Sequence, residues 1–230
     1  MLHPNGVRKD PVHVGSFDCF GDAWVECLRV TMTSGQDVVD DSEQLRELLN
    51  LTVSAETFHT ADFVHLGASA DRIKLMERKY HSIDVVPPYT LSYGSLFRRH
   101  EGVDQIAWLV RRLRGKMETK SATIGFHSPG HDELSCISLL DCKVRDQQLH
   151  TSAVYRSQNI FASQPGNVVA LSRFQEEIAE QLDVPVGSLT LHILSAHVYH
   201  RDFFEVEAVL NSYEHHSERD NGAANHANEA

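Results

Sequence analysis

Long hydrophobic runs are missing from this sequence of 230 residues. Nothing in it approaches the roughly 18 apolar residues that a membrane span needs. The opening MLHPNGVRKD carries no apolar core of the kind a signal peptide has. Cysteine is scarce too: Cys19, Cys27, Cys136 and Cys142 include no C-x-x-C pair, which argues against a disulfide framework and against a thiolate zinc knuckle. These features suggest a cytoplasmic chain with reduced thiols. Basic residues are outnumbered, 21 Lys and Arg against 32 Asp and Glu, leaving a formal charge of −11. That balance argues against a general binder of nucleic acid or membrane surfaces. No G-x-S-x-G elbow occurs, so a serine hydrolase of that type is not supported. No internal repeat or long linker divides the chain.

What is present suits one globular domain, with 41% hydrophobic residues. Residues 1–15, with two prolines and two glycines, read as an irregular lead-in, and residues 16–213 as the domain. Residues 214–230 hold no large apolar side chain and are expected to form a disordered tail. Within the domain the pattern mixes strands with helices. Ala23–Thr33 alternates well enough for a strand, with a turn at Gly35-Gln36-Asp37, and Leu45–Ser54 is ambiguous with a β-rich second half. Helical spacing marks Ala70–Tyr80, Asp104–Leu113 and, most strongly, Asn167–Leu182 behind Pro165-Gly166. Further strands are expected at Ala122–Phe126, Leu134–Val144, Leu149–Tyr155 and Leu189–Tyr199, the middle two joined as a hairpin through Arg145–Gln148. Strands and helices do not alternate strictly, so an α+β fold is favoured over a doubly wound parallel sheet.

Several residues could carry chemistry. Cys136, on an alternating strand with Ser138, Leu140 and Cys142, is by default a small buried hydrophobe. As a nucleophile it would need positive charge beside it, and Arg156, ending the next strand, is a candidate. His197 and Tyr199 share a strand face, either as a cross-strand pair or as donors to a sugar hydroxyl. Asn167 reads most simply as a helix cap, though its amide could also recognise a base edge. The 15 histidines do not suggest a metal: His192 and His197 fall on opposite strand faces, and His127 and His131 straddle a loop.

In order along the chain stand Tyr93-Gly94, Asp104-Gln105, the strand LSCISLLDCKV with Cys136, YRSQN with Arg156 and Ser157, Pro165-Gly166-Asn167, and His197-Val198-Tyr199. This series resembles the thymidylate synthase family, and the compact length is similar to its short archaeal-type branch. The resemblance implies a mostly antiparallel or mixed β-sheet packed with helices, one sheet face serving for homodimerisation. It implies a uracil nucleotide, dUMP, as substrate and 5,10-methylenetetrahydrofolate as cofactor, with no nucleic-acid or membrane partner. Cys136 would attack the ring, with Tyr93 beside it. Arg156 and Ser157 would hold the phosphate, Asn167 would read the base, and His197 and Tyr199 would hold the ribose.

Departures from that family pattern also bear on function. Ile137 follows the cysteine where the family has His, and Asn159 replaces the folate-contacting Asp. The arginine pair that a partner subunit would donate reads Lys120-Ser121. The catalytic Glu could be Glu47 or Glu56, and no Trp lies between Glu47 and Tyr93. Water admitted through such gaps would convert methyl transfer into hydroxymethyl transfer, the alternative reading. A catalytically inactive nucleotide-binding relative is the third.

Overall fold

Hydrophobic residues recurring every two or every three to four positions sort the chain into one mixed sheet and the helices that cover a face of it. The computed structural model describes residues 11–128, 130 and 134–227, with side chains described as far as 215. In chain order the elements are β1 (Val12–Cys19), α1 (Phe20–Ser34), β2 (Gln36–Asp40), β3 (Glu43–Thr57), α2 (Thr60–His65), α3 (Ala70–His81), α4 (Tyr93–Arg99) and α5 (Gln105–Gly115). Then come β4 (Thr123–Gly125), β5 (Ile137–Arg145), β6 (Gln148–Tyr155), β7 (Gln158–Asn159), α6 (Gln164–Leu182), β8 (Val186–Tyr199) and, after a 3-10 turn, α7 (Phe203–Ala227). The sheet runs β1-β3-β8-β6-β5-β4, with β2 also on β3 and β7 also on β8. β3 pairs antiparallel with β8 and β5 with β6, whereas β6 and β8 are parallel, so the α+β expectation holds.

Along β3, β8, β6 and β5 one face carries Leu51, Val53, Leu191, Ile193, Ala153, Tyr155, Leu140 and Cys142, all buried. α1 and α6 pack on that side. The opposite face places Thr52, His192, Val154 and Leu139 in one row across four strands. No described helix is long and apolar enough to cross a membrane.

Two expectations need correction. Ala23–Thr33 is part of helix α1, because Phe20, Trp24, Cys27, Leu28 and Thr31 bury one helical face. The local alternation lost to that longer period. Thr31 hydrogen-bonds back to the Cys27 carbonyl (2.7 Å), as a β-branched hydroxyl does inside a helix. The turn also lies later than expected: Gln36 and Asp37 begin β2, and the chain reverses at Asp41 and Ser42, both with positive φ. At the two ends of the described residues the elements are these. β1 starts at Val12, and α7 continues through Ala227 across the segment read as a tail. Residues 1–10, His131 and residues 228–230 lie outside the described residues.

Leu45–Ser54 proves to be strand throughout, and the structure explains its ambiguity. Leu45, Leu48 and Leu51 are buried at intervals of three, which strict alternation forbids, and Asn50 adopts a left-handed φ of 58°. The inward set therefore changes parity between Leu45 and Leu48 and again between Leu48 and Leu51, and alternates only from Leu51 through Val53 to Ala55. The hairpin matches expectation closely: Asp146 and Gln147 turn with φ of 48° and 63° between β5 and β6.

Candidate active site

Cys136 sits just before β5, half-buried, where the chain leaves the loop after β4. A bulge between Ile137 and Leu139 shifts the register with β6. The expected common face of Cys136 with Leu140 and Cys142 is therefore broken: Ile137, not Cys136, joins that buried row. Cys142 is enclosed and its thiol is pushed up to about 12 by burial, whereas Cys136 is released toward the end of the sheet.

The backbone of Cys136 is gripped on both sides. Its N–H donates to the Tyr93 hydroxyl (2.8 Å), and its carbonyl accepts from the Arg156 N–H (2.8 Å). Tyr93 reaches this point because α4 packs against the end of α3. Ser92 caps α4 through the Ser95 N–H and donates to the Ser82 carbonyl (2.7 Å). A Cβ on Gly94 would stand 2.1 Å from that carbonyl oxygen, so only glycine permits the approach. Gln105, at the start of α5, ties the same region together by donating to the carbonyls of Leu96 (2.9 Å) and Gly125 (3.0 Å).

Arg156 follows β6 and lays its guanidinium on the carbonyls of Ser135 (Nε, 3.1 Å) and Leu134 (Nη2, 3.0 Å). Among the described residues it has no carboxylate partner, so its charge is uncompensated and its remaining donors are free. Ser157 Oγ lies 4.0 Å from Cys136 Sγ. Burial holds the Tyr93 phenol well above its ordinary pKa, and charge at Cys136 raises it further.

The other expected residues gather on neighbouring strands. Glu47 of β3, His197 of β8 and Asn159 of β7 are register partners in one row. Glu47 accepts a hydrogen bond from Ser195. Burial lowers the His197 pKa, opposed by the negative charge of Glu47 and Asp40, so the ring is neutral near pH 7. His197 meets Tyr199 edge to face at 5.3 Å, and the Tyr199 phenol, raised mainly by burial, also responds to charge at Cys136. Glu56 is exposed near the other end of β3, beside β1, about 30 Å from Glu47 at strand rise. Of the two carboxylates left open by the sequence, Glu47 is the one beside His197.

Asn167 occupies the first turn of α6 at 5% exposure, and its side-chain amide makes no hydrogen bond among the described residues. Its N–H donates to the Ser163 carbonyl (2.9 Å), so it is inside the helix rather than capping it. Gly166 lets α6 come close, since a Cβ there would meet Met76 Cβ at 2.5 Å. Trp24 Nε1 donates to the Ile160 carbonyl (2.8 Å) and fixes the segment between Arg156 and Asn167 from beneath. Asn159 uses its Oδ1 to accept the Ala162 N–H (2.8 Å), stabilising the turn into α6. Lys120 stands apart: the Ala122 carbonyl bonds the Cys142 N–H, which places Lys120 roughly 20 Å from Cys136 of the same chain.

Lys79 went unnoticed in the sequence. It lies on α3 at 9% exposure, with Nζ 3.9 Å from the Tyr93 ring centre and 4.0 Å from that of Tyr89. A signal existed: Ile73, Met76 and Tyr80 form the buried stripe of α3, and Lys79 falls on it three positions after Met76. Among the described residues, no group of three or more His, Cys, Asp or Glu could hold a metal ion.

A half-buried cysteine held by a tyrosine and by an arginine with spare donors is suited to nucleophilic chemistry on an anionic substrate, and Asn167 and His197 stand on neighbouring elements. The comparisons make the class specific. A family model described as thymidylate synthase matches residues 71–219, and the chain belongs to that family. A Methanothermobacter marburgensis protein named "Putative thymidylate synthase" is 30% identical over 215 residues, covering 85% of this chain and 96% of its own. A protein of the same name from Methanothermobacter thermautotrophicus is 31% identical over 209 residues, covering 82% and 94%.

Proposed function

We propose that the chain is a one-carbon transferase that methylates carbon 5 of the uracil ring of dUMP, with 5,10-methylenetetrahydrofolate as carbon donor. The observation that carries this reading is the double grip on the Cys136 backbone by Tyr93 and Arg156, which aims a half-buried thiol past Ser157. In the proposed reaction the Cys136 thiolate adds to carbon 6. The carbon 5–carbon 6 double-bond pair moves onto carbon 5 and the adjoining carbonyl, which makes carbon 5 nucleophilic. After carbon 5 has gained its substituent and lost its proton, expulsion of the thiolate restores the double bond.

Arg156 has three N–H donors left after bonding the two carbonyls, enough for a bidentate grip on the phosphate. Ser157 Oγ would add a further donor. Asn167 offers one donor and one acceptor to a uracil edge, and neutral His197 with Tyr199 would hold a ribose hydroxyl. Glu47, beside His197, is the better of the two candidates for proton handling.

The folate would lie beside the turn into α6. A cavity of about 290 Å³ beside the Asn159–Ala162 turn is lined by Ile73, Phe161, Ala162 and Pro165, with Arg72, Asp202 and Glu205 at its wall. Its apolar part would take an aromatic ring system, Arg72 would meet a carboxylate in spite of Asp202 and Glu205 nearby, and Asn159 keeps its Nδ2 donors free. Bound there, the cofactor would supply the carbon at the methylene level and, for a methyl product, the hydride. Incubation with dUMP and methylenetetrahydrofolate, with products weighed by mass spectrometry, tests the assignment. A methylated nucleotide with dihydrofolate supports it, a hydroxymethylated nucleotide shifts it to the alternative, and no product with dUMP, UMP, dCMP or CMP overturns it.

We also propose a homodimer through the outer sheet face. Leu194 and Leu49 there are 47% and 48% exposed, beside the row of Thr52, His192, Val154 and Leu139. Light scattering should give twice the chain mass, and Leu194→Glu should halve it. Only across such an interface could Lys120 serve a site.

A further inference from the structure

A buried ammonium needs an opposite charge or a set of strong acceptors, because burial strips its hydration. Lys79 has neither in ordinary form. Its nitrogen rests between the faces of Tyr89 and Tyr93, whose ring quadrupoles favour a cation but carry no net charge. Among the described residues no carboxylate pairs with it. Burial accordingly lowers its pKa, and the one ionisable neighbour that supports its charge is Cys136. Tyr93 links the two physically: its ring is against the ammonium and its hydroxyl holds the Cys136 N–H.

We propose that Lys79 is the resident counter-cation of Cys136, a positioning residue that keeps the thiolate available. The inference rests on the reading of Cys136 as nucleophile, but its test requires no turnover. Its value follows from what the substrate does to Arg156. Once a phosphate dianion is bound, the guanidinium charge is largely neutralised, and Arg156 supports the thiolate far less. The Lys79 ammonium is covered by the rings of Tyr89 and Tyr93, and its field would persist in the loaded site. No proton passes between the two groups: Cys136 loses its proton to water, and Lys79 remains an ammonium.

The phenols around these two groups are neutral near pH 7. Tyr80 from α3, Tyr89 from the following segment, Tyr93 from α4 and Tyr155 from β6 all have phenols raised above 10 by burial. Tyr199 of β8 is raised as well. α6 packs on α3 farther along, contributing Arg173 toward Glu77 and Phe174 against His81. Arg156 stays charged throughout.

The test is the pH dependence of Cys136 alkylation by iodoacetamide on the unliganded protein, read by mass spectrometry of the Cys136 peptide. Cys27 and Cys142, pushed up to about 12, stay silent in this window, and Cys19 falls on a separate peptide. Lys79→Met should raise the alkylation midpoint by about one unit, slowing the reaction about tenfold below it, while Lys79→Arg stays near the parent. A folded Lys79→Met with an unchanged midpoint overturns the proposal, even if the protein proves to be a synthase. The reciprocal measurement leaves Lys79 intact should that variant fail to fold. Carbon-13 NMR of the Lys79 Cε in Cys136→Ser should show the ammonium deprotonating at lower pH than in the parent. An equal midpoint refutes the pairing. A shifted midpoint in a protein without turnover would sustain the pairing while ending the synthase reading.

Discussion

Removing one oxygen tests whether the site is held as described. Tyr93→Phe keeps the ring, so the edge contact with Tyr80 at 4.9 Å and the face presented to Lys79 are preserved. What goes is the acceptor of the Cys136 N–H, and the N–H is left pointing into a place only 3% exposed. An unsatisfied buried donor costs about 1–3 kcal/mol, against about 1 kcal/mol for losing an ordinary hydrogen bond. The site is half-buried on the cysteine side, so water can restore part of the loss, which places the expected change near 1.5 kcal/mol. For a chain of this size that lowers the melting temperature by about 3–6 °C. Two measurements check it: urea unfolding of parent and variant, and hydrogen exchange at the Cys136 amide, where protection should fall about tenfold for each 1.4 kcal/mol. Unfolding within about 0.3 kcal/mol of the parent, with the amide still protected, would refute the argument that Tyr93 positions the nucleophile.

Arg156→Gln should weaken nucleotide binding about 10- to 100-fold by calorimetry, since charge-assisted hydrogen bonds to phosphate are lost while the fold is spared at an exposed position. Gly166→Val should destabilise by about 1–3 kcal/mol or more in urea, because the added carbons meet Met76 where α6 crosses α3. Burial depresses the pKa of both His81 and His197 in the native state. The unfolded chain takes up those protons first, near pH 6.5, so stability present above that pH is lost as the pH falls toward the lower native values. His197→Gln should flatten this decline by up to about 1.4 kcal/mol per pH unit, followed by unfolding between pH 7 and 5.

The sequence was most legible where one period dominated. α6, with its buried Phe174 and Ile178, keeps one helical spacing, and it fell close to where expected, as did the β5–β6 hairpin and β8, whose alternation breaks only at Leu194 and Ser195. Sequence reading lost the thread where two periods overlapped. Val25, Cys27 and Leu28 are all buried in α1, and a short window over them shows alternation as readily as a turn of helix. In β5 a single extra residue reversed the parity on which the face of Cys136 depended. The series from Tyr93 to Tyr199 supplied the family, because motif order survives such local slips. Contacts between distant elements were beyond it. Nothing near Lys79 in sequence announces Tyr93 and Cys136 as its neighbours, and the outer row of the sheet exists only once four strands are in register.

That register has a consequence for how the protein comes into being. β3 lies early in the chain, yet its antiparallel partner is β8, and the Ser195–Glu47 hydrogen bond joins residues 148 apart. Closing so long a loop is entropically costly, and the reward comes only when both strands are present. During synthesis β3 must leave the ribosome with one side unpaired and wait for most of the remaining chain. Glu47 meets His197 through the same late pairing, so the carboxylate end of the site is assembled among the last events of folding, well after the β5–β6 hairpin can have closed beside Cys136.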